Sequence, residues 1–362
     1  MGDTAFGFVD CDVHPAAPDM KALVPYLDDY WRETVVTRGI DGLELSSFPP
    51  GAKAHGRPDW RPDIGGKPGS SLDLMRANLL GPFDTRFAIL NCMHGALALF
   101  NADLAAALAK AVNDWIAAEW LDKEPRLRAS IVVPAQDPHL AAEEIERRAG
   151  DRRFVQVLML VSHDMPLGKR HYWPIYAAAE KHGLPVAIHA GSGYRQPTTA
   201  NGWPSYFVED YVAQSASFQN QLLSLVAEGV FAKHPGLKVV LTESGFTWLP
   251  SWTWRANKTW RGVRRETPWV DRPPSEIVAE HVRFTLQPTD EPPEPALFER
   301  VVDQMGSDEL LLFSTDYPHW HFDEDRALPQ GLSASLVAKI ARDNPLATYP
   351  RLREEGLRET VQ

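Results

Sequence analysis

The chain has 362 residues, of which 44% are hydrophobic and 23% charged, so a large folded core is well within reach. A net charge of -11 and a pI near 5.6 argue against a nucleic-acid footprint or a polybasic membrane contact. Two cysteines, Cys11 and Cys92, give no disulfide framework and suit a reducing cytoplasm. No signal-peptide pattern is read at Met1–Phe6, and no apolar run approaches the roughly 20 residues of a membrane helix.

Apolar runs of strand length fall at about 6–11, 86–91, 128–133, 154–160, 185–189, 238–242, 282–286 and 310–314. Amphipathic stretches lie between most of them. The clearest runs from Ala102 to Trp120, and others fall near 138–149, 173–182, 209–229 and 333–343. Eight continuous apolar strands alternating with helices predict a parallel sheet covered on its outer face. The expected fold is an α/β (β/α)8 TIM barrel, a single domain over 1–362, with an open doubly wound sheet as the alternative. Segments 40–72 and 190–208 are irregular and rich in Gly and Pro, and are read as insertions after strand 1 and strand 5.

Four of the runs end in side chains that can bind metal. The first closes as Asp10-Cys-Asp12-Val-His14, the fifth at His189, the sixth at Glu243, and the eighth in Ser314-Thr-Asp316-Tyr-Pro-His319-Trp-His321. Alternation along a strand sends Asp12 and His14 to one face, with Cys11 and Val13 on the other. Taken singly, each residue has a bland reading: Asp316 could start a turn before a proline, and His189 could be a satisfied structural histidine. Glu243 is less easily dismissed, because a buried carboxylate needs a partner. Together they form a mixed N/O ligand set suited to Zn, Mn or Fe.

These motifs, with Leu184-Pro-Val-Ala-Ile-His189-Ala-Gly and His234-Pro-Gly through Glu243-Ser-Gly-Phe-Thr-Trp-Leu-Pro250, resemble the amidohydrolase superfamily, in its amidohydrolase-2 branch of decarboxylase-like barrel enzymes. The resemblance implies metal ligands Asp12, His14, His189 and Asp316. Asp12 stands where the family usually has histidine, and Glu243 stands where its decarboxylases often have histidine. Strand four, Phe154–Val161, lacks the lysine that bridges two metals in dinuclear relatives, so one divalent ion is expected rather than two. A second ion could be held by Glu243 with His319, His321 or His94.

The main expectation is an enzyme that uses a metal-activated water on a small carboxylated or amide-like substrate. Asp316, Glu243 and His319 are the catalytic candidates, and Arg195 and Trp248 the substrate contacts. The alternatives are a non-oxidative decarboxylase, a dinuclear Fe/Mn oxygenase or thioesterase, and a silent supporting subunit of a related enzyme. A homo-oligomer is expected, or a hetero-oligomer with such a subunit, with no nucleic acid and no membrane as partners.

Overall fold

A computed structural model describes residues 7–41, 43, 56–57, 60, 66–193, 196–319 and 326–353. Arg195 and His321 lie outside these residues. Eight strands are present: β1 (Phe8–Val13), β2 (Thr85–Leu90), β3 (Leu127–Val132), β4 (Phe154–Leu160), β5 (Val186–His189), β6 (Val239–Thr242), β7 (Val282–Thr285) and β8 (Leu311–Leu312). All neighbours pair in parallel, in chain order from β1 to β8. Long helices Ala102–Ile116, Pro138–Arg148, Trp173–Lys181 and Phe207–Ala227 fall where the periodicity predicts them. Helices Asp29–Thr37, Leu249–Val263, Pro274–His281 and Phe298–Met305 are additional. Among the described residues no helix is long and apolar enough to cross a membrane.

The sheet closes where the chain after β8 returns to β1. Cys11 N–H donates to Phe313 O at 2.9 Å, Asp316 N–H to Asp12 O at 3.1 Å, and His14 N–H to Tyr317 O at 2.7 Å. Asp10 clasps this seam. Its carboxylate accepts from Thr315 Oγ1 at 2.6 Å, Thr315 N–H at 3.0 Å and Asp12 N–H at 3.2 Å. Burial pushes the Asp10 carboxyl up to about 7 against the pull of these hydrogen bonds.

Two apolar clusters separate the faces of the barrel. The larger joins strand residues such as Ala88, Leu90 and Val13 to the helices. The smaller joins Val9, Cys11, Phe87, Ile89, Val240 and Leu312 to Tyr349 and Leu352, so the C-terminal segment plugs the barrel interior. Cys11 and Val13 therefore lie in different clusters, contrary to simple alternation. The cause is a register shift between Asp10 and Val13, the signature of a bulge. Arg351 fastens the plug by donating to Phe154 O at 2.6 Å and Ala149 O at 3.0 Å.

Two stability predictions follow from these contacts. Thr315→Val leaves a fully buried Asp10 without its shortest hydrogen bond and should cost about 1–3 kcal/mol in urea unfolding. Glu124 is held by Arg126 Nε at 2.8 Å and Arg76 Nε at 2.9 Å, which lower its carboxyl to about 2 from 4.5. A depressed carboxylate stabilises above its unfolded value and stops doing so as pH falls through 4.5 towards 2. Glu124→Gln should cost about 1–2 kcal/mol at pH 7, allowing for the partly exposed arginines, and almost nothing at pH 2. Urea titrations of both proteins at the two pH values check this.

Candidate metal centre

The C-terminal ends of β1, β5, β6 and β8 bring six side chains together. His14 Nε2 lies 3.2 Å from Asp12 Oδ1, 3.3 Å from Glu243 Oε1 and 2.9 Å from Asp316 Oδ1. His189 Nε2 is 3.5 Å from Asp12 Oδ1 and 3.3 Å from Glu243 Oε1. His319 Nδ1 meets Asp316 Oδ1 at 2.7 Å and Glu243 Oε1 at 3.7 Å, and its ring stacks on His14 with centroids 4.6 Å apart. The sequence-predicted ligands Asp12, His14, His189 and Asp316 thus converge, with Glu243 and His319 beside them.

Backbone geometry holds the carboxylates in place. Glu243 and Asp316 both adopt φ of +58°, the left-handed region that non-glycine residues seldom occupy. Glu243 N–H donates to Thr285 Oγ1 at 3.0 Å, and Asp316 N–H is the seam donor to Asp12 O. Imidazole orientation is fixed as well. His14 Nδ1 faces Asn91 O at 3.0 Å and His189 Nδ1 faces Ala190 O at 2.7 Å, so each ring donates through Nδ1 and presents Nε2 inward.

The donor set fits a divalent cation. Asp12 Oδ2, His14 Nε2, His189 Nε2 and Glu243 Oε1 are buried and have no hydrogen-bond partner outside the cluster. Their atoms fall into two overlapping ligand groups, Asp12/His14/His189/Glu243 and His14/Glu243/Asp316/His319, each gathered within 4.8 Å. Burial opposes protonation of His189, but Glu243 and Asp12 outweigh it and move the ring up to about 10. His319 rises to about 9 against its burial, chiefly through Asp316. Burial also disfavours the Asp12 carboxylate, yet His14 and His189 hold its pKa well below the usual range.

Trp248 and His94 make contacts of their own outside the two ligand groups. Trp248 packs edge-on against Phe284 and donates its indole N–H to Ser244 O at 3.0 Å, outside both ligand groups. His94 accepts from Ala96 N–H and also belongs to neither group. Burial, with Lys67 nearby, lowers its pKa to about 4. Three contributors went unrecognised in the sequence. Tyr211 OH donates to Glu243 Oε2 at 3.1 Å, Asn91 Nδ2 donates to Asp12 Oδ1 at 2.8 Å, and Asp10 clasps the seam. Tyr211 sits within a helix and carries no local signal. Asn91 and Asp10 are polar residues in or beside apolar strand runs, and that was a usable sign.

The first insertion leans directly on this site. Gly69 has φ of +76°, its carbonyl accepts from Ala16 N–H at 3.0 Å, and a Cβ there would lie 2.1 Å from His14 O. Trp60 packs on Tyr317 with centroids 5.0 Å apart, and Arg57 N–H donates to Pro318 O at 2.9 Å.

A closed parallel barrel with carboxylates and imidazoles at the C-terminal strand ends defines a metal-dependent barrel enzyme. The chain belongs to the amidohydrolase family, whose profile matches residues 9–351. Among curated proteins it is similar to the gamma-resorcylate decarboxylase of Rhodococcus jostii (strain RHA1), 25% identical over 318 residues covering 78% of this chain and 92% of that protein. Among solved structures it resembles 2,6-dihydroxybenzoate decarboxylase from Rhizobium, with a TM-score of 0.68 and 20% identity over 96% of this chain and 99% of that one. It also resembles a dihydroxybenzoic acid decarboxylase from Polaromonas sp. JS666 with bound manganese and 2-nitroresorcinol, with a TM-score of 0.66 and 20% identity over 96% of this chain and 97% of that one. These similarities rank the carboxy-lyase alternative above the metal-activated-water hydrolysis placed first from sequence.

Gly69→Ala should displace the His14 carbonyl and lower divalent-metal affinity by about tenfold or more, with a drop in thermal midpoint. Metal titration followed by calorimetry, and melting of the metal-free protein, check both parts.

Proposed function

We propose that the chain is a metal-dependent carboxy-lyase acting on a small aromatic carboxylic acid with a hydroxyl beside the carboxylate. The observation that carries this reading is the sequence similarity to gamma-resorcylate decarboxylase along 92% of that protein's length. In support, the residues the family resemblance assigns as ligands line the barrel mouth, Asp12 and His189 in one ligand group and Asp316 in a second, with His14 common to both. We assign Asp12, His14, His189 and Asp316 to a single divalent ion, with manganese as the candidate because a similar structure binds it. When bound, such an ion supplies positive charge to the substrate carboxylate and its neighbouring oxygen.

The remaining chemistry falls to the chain. We assign the proton for the ring carbon to Asp316. As the new C–H bond forms, the bond to the carboxylate breaks, and its electron pair restores the aromatic ring as carbon dioxide leaves. His319, 2.7 Å from Asp316, returns the proton. Its side chain is 20% accessible, against 7% or less for the other five, so it is the member of the cluster that can exchange with solvent. Glu243, steadied by Tyr211, balances the three histidines it faces. Trp248 is assigned to bracing the turn that follows Glu243, and Arg195 to pairing with a substrate carboxylate.

A single ion is favoured because the two ligand groups share His14 and Glu243 and so compete for the same atoms. Metal analysis should find about one equivalent per chain, and two would overturn that part of the reading. The manganese-loaded protein should convert an ortho-hydroxylated benzoate such as 2,6-dihydroxybenzoate into the hydroxyarene and carbon dioxide. Asp316→Asn should lower kcat by about 10²–10⁴-fold. Turnover of esters or amides, with no carbon dioxide from any hydroxybenzoate, would restore the hydrolytic reading.

A further inference from the structure

A line of buried polar side chains crosses the barrel beneath the ligand cluster. Asp12 Oδ1 accepts from Asn91 Nδ2 at 2.8 Å. Asn91 Oδ1 accepts from Ser130 Oγ at 2.5 Å and from Gln156 Nε2 at 3.0 Å, and Gln156 Nε2 also reaches Ser130 Oγ at 2.8 Å. Gln156 Oε1 accepts the Tyr349 hydroxyl at 2.9 Å. Asp12, Asn91, Ser130, Gln156 and Tyr349 all have no exposed surface. The line therefore runs from β1, past the end of β2, through β3 and β4, to the C-terminal plug.

The order of donors is dictated at one end. An ionised carboxylate only accepts, so Asn91 must turn its amide nitrogen to Asp12 and its oxygen to Ser130 and Gln156. Gln156 then spends both N–H groups on Asn91 and Ser130, which leaves its oxygen to accept from Tyr349. Every donor along Tyr349, Gln156, Asn91 points towards Asp12, an arrangement in which successive hydrogen bonds polarise one another. An interior otherwise lined by Val9, Ile89, Val155 and Val240 would tolerate apolar residues at these places. The polar chain ends on Asp12 Oδ1, the oxygen that also lies 3.2 Å from His14 Nε2 and 3.5 Å from His189 Nε2, and it leaves Oδ2 without a hydrogen bond.

We infer that Asn91, Gln156 and Tyr349 are positioning residues that aim the Asp12 carboxylate at the metal ion, and that they link the docking of the C-terminal plug to metal affinity. The inference rests on the metal-site reading above. Its test is Mn²⁺ titration of the metal-free full-length protein, wild type against Asn91→Ala and Tyr349→Phe, with thermal melting of each metal-free protein. Asn91→Ala is expected to weaken Mn²⁺ binding by about 10–100-fold, and Tyr349→Phe, which removes a single oxygen, by about threefold or more, with the stoichiometry unchanged. Wild-type affinity in a Tyr349→Phe protein that melts cooperatively, whatever its midpoint, would overturn the inference, as a merely structural hydroxyl moves the midpoint alone. If Asn91→Ala does not fold, Tyr349→Phe decides. Failure of the wild type itself to bind Mn²⁺ would remove the metal-site reading, and is distinct from variants that bind as tightly as a wild type that does.

Discussion

Backbone pairing between β1 and the chain after β8 is the constraint on which the rest of the molecule depends. The hydrogen bonds that close the barrel, from Asp316 N–H to Asp12 O and from His14 N–H to Tyr317 O, are made by residues of the ligand cluster or their immediate neighbours. Closure and site assembly are thus one event. A barrel left open at this edge would separate Asp12 and His14 from Asp316 and His319, leaving two incomplete ligand sets. Asp10 and Thr315 secure the same edge, which explains why a carboxylate with no evident chemistry is buried there.

The price of this assembly is electrostatic. Asp12, Glu243 and Asp316 are crowded around imidazoles in a buried space, where unpaired charge is costly. The facing carboxylates raise the proton affinity of His189 and His319 against their burial, so a divalent ion would compete with protons there. The surroundings hold the site from several sides: Nδ1 atoms rest on backbone carbonyls, Asn91 holds Asp12, and Gly69 brings segment 40–72 against the His14 carbonyl. The insertion, as far as it is described, braces the seam through Trp60, Arg57 and Gly69.

All eight strands were legible as apolar runs because strands covered on both faces have no polar alternation to confuse the pattern. Each observed strand starts or ends within about two residues of its predicted limits. The candidate site residues were legible because Asp12, His14, His189, Glu243 and Asp316 each end such a run. The supporting residues were harder to see, for a physical reason. Asn91, Ser130 and Gln156 are far apart in sequence, and their value lies in one another, which only the barrel's curvature brings about. The bulge after Asp10 was invisible, since a register shift leaves no mark on composition. Chemistry was the least legible level: the same ligand set serves hydrolysis and carboxyl loss, and similarity to decarboxylases rather than any single residue moved the balance.

The left-handed backbone at Glu243 and Asp316 also shapes what substitution can reveal. A β-branched or bulky apolar residue at either position would have to pay for its backbone as well as for its missing carboxylate, so its failure would report two losses at once. Asparagine visits this conformation more readily and nearly matches aspartate in shape. At position 316 it separates charge from scaffold, whereas a broad scan read without regard to φ would credit to catalysis what belongs to the fold.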